Sequence, residues 1–164
     1  MALLASYLII QQFAENLIEA IKKNIREKNV TGHGPMHTTG HAEDSLFYRI
    51  TDNGLIIGST WKYIRVLEDG RKPGKFAPPE VIRKWIDDKP LGTDIPRNSL
   101  TFLINRKLKN EGSELWRQGG KSGVLSDVLN LDYIHKNLTE PLAKAYIDQV
   151  TDILFSTSPT YGTL

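Results

Sequence analysis

Three histidines spaced four residues apart are the first residues in this sequence that could do chemistry: His33, His37 and His41. On a helix, this spacing would place three imidazoles on one face, where they could bind a transition metal. The segment around them contains three glycines and a proline, which disfavour a helix. We therefore predict a polar loop over residues 29–44. A metal-dependent enzyme that uses these histidines is the minor alternative.

Two further patterns resemble catalytic or nucleotide-binding motifs but lack essential parts. Gly120-Lys121-Ser122 resembles the end of a phosphate-binding loop, but that pattern requires a glycine where Leu115 stands. Asp87 and Asp88 are adjacent, and adjacent side chains on a helix point about 100° apart, so they do not converge on a metal. The absence of cysteine excludes thiol nucleophiles and zinc–thiolate sites. We predict no catalytic residue, no cofactor and no metal, and therefore no enzyme.

A small basic cluster lies in the segment 69–79, which has the sequence DGRKPGKFAPP. Two glycines and three prolines within eleven positions predict a loop. Arg71, Lys72 and Lys75 either contact phosphate or an acidic partner surface, or simply keep an exposed loop solvated.

The length and composition place these residues in one globular domain. The chain has 164 residues, is 40% hydrophobic and carries a formal net charge of +2, so residues 1–164 are predicted to form a single domain. The balanced charge argues against a strong general nucleic-acid binder. No apolar run approaches the roughly 18 residues of a membrane-spanning helix. The apolar residues 1–10 lack the basic start and the cleavage site of a signal peptide.

The apolar periodicity predicts an α+β fold. A helical stripe covers residues 1–28, which we expect to form one long amphipathic helix. Strands are predicted over residues 46–51 and 55–60, joined at Asn53-Gly54, the strongest short hairpin signal. Residues 61–67 are rich in aromatic and β-branched residues and predict a third strand. We therefore expect an antiparallel meander over 45–67, packed on the first helix.

Helices are predicted for most of the remaining chain. Pro78-Pro79 favours a helix start, and Trp85 lies on the apolar face of that helix. A second helix follows within 79–112 and ends at Gly112. A C-terminal helix is predicted over 132–156, whereas residues 113–131 give no clear signal.

Residues 63–75, with the sequence YIRVLEDGRKPGK, run from an aromatic residue through an acidic one into Gly-Arg-Lys-Pro-Gly-Lys. A Pro-Pro helix start and an Ile-x-x-Trp-Ile helix follow at 78–86. This order resembles the signature of the tail-completion (neck) proteins of tailed bacteriophages. The resemblance covers roughly residues 38–120, and helices compatible with the family flank it on both sides.

The resemblance implies a structural virion protein. Such proteins form rings at the head–tail junction, here with roughly six or twelve copies, through one interface repeated around an axis. The implied partners are other copies of the chain, neck, portal-side connector and tail-tube proteins, with passing contact to genomic DNA and no membrane. The implied location is the virion neck, with the host cytoplasm during assembly.

The implied inter-subunit contacts come from the segment 61–67, expected as an edge strand, and from the projecting loop 69–79. The contact residues are Tyr63, Arg65, Glu68, Gly70, Arg71, Lys72, Pro73, Gly74, Lys75 and Phe76. The residues with structural roles are Asn53, Gly54, Pro78, Pro79 and Trp85. Two alternatives stay open beside this one: a nucleic-acid-binding module that uses the basic loop, and a toxin-like or regulatory protein with the same fold.

Overall fold

The structure is a computed structural model that describes residues 2–32, 40–89 and 94–156. His33, His37 and the rest of residues 33–39 lie outside the described residues, within the predicted loop 29–44. The last part of that prediction is wrong, because residues 41–44 form a short helix. The helices and strands follow in this order along the chain: α1 (Ala2–Glu27), α2 (His41–Asp44), β1 (Leu46–Thr51), β2 (Gly54–Ser59), α3 (Ile64–Asp69), α4 (Pro79–Asp88), α5 (Arg97–Glu111), α6 (Glu114–Arg117), α7 (Leu131–Ile134), a π-helical stretch (His135–Thr139) and α8 (Glu140–Ser156). The predicted α+β fold class is confirmed.

The long helix α1 is confirmed and forms one side of the main core. Its apolar stripe buries Phe13, Leu17, Ile21 and Ile25, each at most 5% exposed. Because these positions recur at helical spacing, they share the face that packs against Val124 and Val128. The polar side chains of α1 occupy the other faces, so burial of this one stripe fixes the orientation of the helix.

The predicted hairpin is confirmed, with a shift in its turn. Strands β1 and β2 pair antiparallel, with Tyr48 opposite Ile57 and Thr51 opposite Gly54. The two connecting residues are therefore Asp52 and Asn53, and Gly54 is the first residue of β2. Gly54 has a φ of +136°, which L-residues rarely adopt, so glycine is needed at the strand start rather than in the centre of the turn. One face of the hairpin packs on α1.

The predicted third strand over 61–67 is wrong, because this segment turns into the helix α3. The sheet in the described part of the chain has two strands. Ile64, Leu67 and Glu68 point inward at positions i, i+3 and i+4, the spacing of a helix face. The β propensity of the segment is overridden by these tertiary contacts, above all by those of the buried Glu68.

Helices α4 and α5 pack against each other and form a second, smaller core. Ala77, Ile82 and Ile86 are buried there against apolar side chains of α5. The predicted Pro-Pro start is confirmed, since Pro78 precedes the helix and Pro79 is its first residue. Trp85 was predicted to lie in the core, but its side chain is 38% exposed. The inward face of α4 is centred on Ile82 and Ile86, and Trp85 lies at its edge.

The predicted C-terminal helix is confirmed, because α7, the π-helical stretch and α8 follow each other without a break. Only the hydrogen-bond pattern changes in the π-helical stretch. The helix runs antiparallel to α1: Tyr133 contacts Phe13, with 6.4 Å between ring centroids, and Ala145 and Gln149 lie beside Ala5. Among the described residues, no helix is long and apolar enough to cross a membrane.

Candidate functional site

The loop between α3 and α4 is held on α5 and α6 at three points. Near its start, the Arg71 N–H donates to Ser113 Oγ at 2.8 Å, and the Ser113 N–H donates to the Arg71 carbonyl at 2.9 Å. At its middle, the Gly74 N–H donates to the Lys109 carbonyl at 2.7 Å. These bonds fix the path of the backbone, so the loop lies along the two helices rather than projecting freely into solvent.

The third point is a buried pair of bonds between Asn105 and Ala77. The Ala77 N–H donates to Asn105 Oδ1, and Asn105 Nδ2 donates to the Ala77 carbonyl, both at 2.7 Å. Asn105 is 5% exposed and Ala77 4% exposed. One amide side chain thus satisfies both backbone groups of Ala77, which otherwise would be buried without partners. This pair ends the loop where α4 begins.

Between these points, residues 72–76 present their side chains to solvent. Phe76 is 51% exposed, and Lys109 Nζ lies 4.6 Å from the centroid of its ring. Lys72 Nζ lies 5.1 Å from the centroid of Trp116 on α6. The loop therefore displays cationic groups beside aromatic rings on a backbone of fixed conformation, which lowers the entropic cost of binding a partner.

Gly70 is required where α3 passes into the loop. Its φ is +74°, and a Cβ at this position would lie 2.5 Å from the backbone nitrogen of Trp116. Gly70 is therefore buried by the close approach of α6. Gly70 was predicted to contact a partner, but the residue is buried and is needed for internal packing.

Glu68 was also predicted to contact a partner, and the structure contradicts this prediction. Its side chain is buried, at 9% residue exposure, and accepts hydrogen bonds from the segment 122–126. The Leu125 N–H donates at 2.7 Å and Ser126 Oγ at 2.6 Å, while Ser122 Oγ and the Gly123 N–H donate at 3.3 Å. The carboxylate thus holds the loop 122–126 against α3 and is not available to a second chain.

These hydrogen bonds determine the protonation of Glu68. Burial raises the pKa of its carboxyl, whereas the hydrogen bonds from Ser126, Leu125 and Gly123 lower it, and the net pKa lies below the ordinary value. Glu68 is therefore a carboxylate at neutral pH. The segment that resembled a phosphate-binding loop does surround an anion, but this anion is the protein's own side chain.

The remaining predicted contact residues lie on or near the exposed surface. Arg65 is exposed on α3, and Tyr63 is half-buried, with its ring edge-on to Trp61 at 5.8 Å between centroids. Arg71 is half-buried: its Nη2 donates to the Lys75 carbonyl at 2.9 Å, and its Nε has no hydrogen-bond partner among the described residues. Six predicted contact residues are exposed: Arg65, Lys72, Pro73, Gly74, Lys75 and Phe76.

The other candidate residues do not converge into a site. His41 lies on α2, with its Nε2 3.2 Å from Lys84 Nζ. Asp87 pairs with Arg97 across the α4–α5 connection at 2.6 Å. Within the described ranges, no group of three or more histidine, aspartate or glutamate side chains could hold a metal ion.

Sequence analysis missed the residues that hold the loop in place. Asn105 and Ser113 are ordinary polar residues in sequence, and their partners lie 28 and 42 residues away. The one available signal was Asn105 among the inward apolar residues Ile104 and Leu108 of α5, because a polar side chain there needs a partner. For Glu68, the comparable signal was the pair Ser122 and Ser126 in a glycine-containing segment, since two hydroxyl donors there can bind a buried carboxylate.

Comparisons with known proteins find no matching family model, no matching curated protein and no matching solved structure. The resemblance to phage neck proteins therefore rests on the residues quoted above.

Proposed function

We propose that this chain is a structural subunit of a tailed-bacteriophage neck, where copies assemble into a ring that joins or completes the tail. The observation that carries the proposal is the loop 70–78: its backbone is fixed on α5 and α6, while residues 72–76 are exposed. A preorganised, exposed loop can contact a neighbouring subunit without paying the entropy of ordering itself. This role needs no catalytic group, because the function of such a subunit is to form the contacts that build the ring.

The arrangement of the loop suits a repeated contact between copies. In a ring, the loop of one copy contacts a different surface on the next copy. Such a heterologous contact, repeated around an axis, closes into a ring when the rotation divides a full turn. The location in the virion neck and the neighbouring connector and tail-tube proteins are part of the proposal.

Electron microscopy of the purified full chain tests the proposal. We expect closed rings with a central opening and a cyclic symmetry of roughly six or twelve. The variant Lys72→Glu/Phe76→Ala should lose the rings, because it changes side chains that we expect at the contact between copies. Both residues are exposed, so the fold of each copy should stay intact. Substitution is preferable to deletion, since the loop backbone is bonded to α5 and α6. Asp52→Ala, in the exposed hairpin turn, is the control and should keep the rings. Rings that survive the loop variant contradict the role of the loop.

The second candidate function is binding of nucleic acid by the same loop. It is favoured by the close placement of Lys72, Lys75 and Lys109, with Lys72 and Lys109 beside aromatic rings. Binding to a labelled duplex DNA should then weaken linearly in log–log form as salt rises, with a slope of about −0.9 for each phosphate contacted. Strong, salt-sensitive binding by a chain that forms no rings would favour this candidate over the neck role.

A further inference from the structure

An acidic cleft lies between the N-terminal end of α1 and the middle of α8, and we call it the α1–α8 cleft. It has a volume of about 220 Å³. Its lining comes from Ala5 and Ser6 of α1 and from five residues of α8, among them Ala145, Asp148 and Asp152. Lys144, the one lysine of α8, is exposed and is not part of this lining. The charged groups that line the cleft are therefore both negative.

Asp148 and Asp152 have no cation beside them. They lie four residues apart on one helix, so their side chains are neighbours, and like charges at this spacing repel each other. Both side chains are exposed, and neither forms a hydrogen bond or an ion pair within the described ranges. Seven other carboxylates, among them Glu19, Asp87 and Glu111, already form ion pairs. The repulsion between the two aspartates therefore favours a cationic occupant of the cleft.

The loop 70–78 carries cations of this kind on a backbone of fixed conformation. Lys72 and Lys75 are exposed, and the segment contains no acidic residue. The Lys75 ammonium has no acidic partner in the part of the chain that the structure describes. By contrast, residues 157–164, which follow α8, contain no lysine or arginine. The loop of a second copy is therefore the occupant whose charge fits the cleft.

The loop and the cleft lie at opposite ends of α1. Ser6 lines the cleft, whereas Asn24, about 27 Å further along the helix axis, donates to the carbonyls of Gly123 and Val124. The same segment binds Glu68, and the loop begins two residues after Glu68. A loop at one end and its receiving cleft at the other end suit a head-to-tail contact, which is the heterologous contact of a ring.

We propose that the loop 70–78 of one copy docks in the α1–α8 cleft of the next copy, with its lysines against the two aspartates. This inference rests on the proposed ring, and it names the surface that receives the loop. The Cβ atoms of residues four apart on a helix lie about 6 Å from each other, so one ammonium can contact both carboxylates. Phe76 of the loop and Tyr146 of the cleft, each 51% exposed, add apolar area to the contact.

Two charge-reversal variants of the full chain test the docking. The loop variant, Lys72→Glu/Lys75→Glu, makes the loop acidic, and the cleft variant, Asp148→Lys/Asp152→Lys, makes the cleft basic. In either variant alone, the loop of one copy meets a cleft of like charge on the next. Each variant should therefore be monomeric, with a dissociation constant at least about 30-fold above that of the wild-type chain.

A matched control separates the cleft from the net charge of the chain. Asp52→Lys/Asp94→Lys also reverses two exposed carboxylates, but outside the cleft, and should assemble as the wild type does. Loss of assembly in this control would overturn the docking, because net charge and not the cleft would then decide assembly. The single variants Lys75→Glu and Asp152→Lys repeat the test if circular dichroism shows that a double variant is unfolded.

Mixing the loop variant and the cleft variant in equal amounts gives the decisive result. The basic loop of the cleft variant meets the acidic cleft of the loop variant, and the acidic loop of the loop variant meets the basic cleft of the cleft variant. Both contacts are attractive, so we expect assemblies in which the two variants alternate. Light scattering after size-exclusion chromatography should give the same mass as for the wild-type assembly. A mixture that stays monomeric overturns the proposal.

Other outcomes separate this inference from the proposed neck role. Rings that persist in the cleft variant overturn the docking and leave the neck proposal standing, because the loop would then contact another surface. Rings that persist in the loop variant overturn both the docking and the role of the loop. A wild-type chain that is monomeric at every concentration overturns the docking together with the ring. Assembly restored in the mixture, with open filaments from the wild type, supports the docking and contradicts the closed ring.

Discussion

Replacing Glu68 by alanine should destabilise the fold strongly, because its buried carboxylate holds the segment 122–126 against α3. The carboxylate accepts two short hydrogen bonds, from the Leu125 N–H at 2.7 Å and from Ser126 Oγ at 2.6 Å, and two longer ones at 3.3 Å. A hydrogen bond to a charged group contributes about 1.5–3 kcal/mol. Counting only the two short bonds, we expect Glu68→Ala to lower the free energy of unfolding by about 3–6 kcal/mol.

The pH dependence of this loss follows from the lowered pKa of Glu68. A carboxyl whose pKa is lower in the folded chain stabilises the fold at every pH above its unfolded pKa of about 4.3. That stabilisation disappears as the pH falls through the folded pKa. Glu68→Gln removes the charge and keeps the shape, so its destabilisation should be about 2 kcal/mol at pH 7. Below about pH 4, the difference from the wild-type chain should shrink.

Urea unfolding of the wild type, Glu68→Ala, Glu68→Gln and the control Asp69→Ala at several pH values measures these effects. Asp69 is the next residue in the chain, and its side chain is exposed, so its replacement should change stability by no more than about 0.5 kcal/mol. A free energy of unfolding for Glu68→Gln within about 0.5 kcal/mol of the wild type at pH 7 would show that the charge of Glu68 does not stabilise the fold. A Glu68→Gln difference that stays constant from pH 7 to pH 3 would show the same.

Further predictions concern the anchoring of the loop. Gly70→Ala should lower the free energy of unfolding by about 3 kcal/mol, because the added Cβ would lie too close to the backbone of Trp116 and the φ of +74° is unfavourable for alanine. Gly74→Ala should lower the free energy of unfolding by only about 1–2 kcal/mol, because its φ of +119° is strained for alanine but no described atom lies within 4 Å of the added Cβ. Thermal unfolding measures both variants, and equal losses of stability would contradict this difference. Asn105→Ala should cost about 2–3 kcal/mol by leaving both backbone groups of Ala77 without partners. The exposed Asn110→Ala is its control in urea unfolding, and an equal effect of the two would show that the buried amide is not what holds the loop.

The elements that sequence analysis predicted well are those with a strong local signal. Helix α1 has a long apolar stripe at helical spacing, and the hairpin has two alternating strands around a turn. Helix α4 begins at Pro79, where proline has no hydrogen bond to lose. In these segments the local preference for helix or strand agrees with the tertiary environment, so the sequence was sufficient to predict the secondary structure.

The elements that sequence analysis missed depend on contacts between distant residues. Residues 61–67 have the composition of a strand, but Glu68 must reach Ser122 and Ser126, which lie 54 and 58 residues further along the chain. Such a pairing leaves no periodic pattern in the sequence. The same limit applies to α8: periodicity identifies an apolar face, but not whether the rest of the chain covers that face. The periodicity therefore predicted the helix, but not which of its apolar residues stay exposed.

Native mass spectrometry of the full chain over a concentration series tests the central claim, that this protein is a subunit of a closed ring. We expect one dominant species with the mass of six or twelve chains of 18.5 kDa, unchanged over the higher part of the series. A closed ring stops growing when its last interface is filled, so the mass should reach a fixed value. A monomer at every concentration, or a mass that rises continuously with concentration, would show that the chain does not form a closed ring.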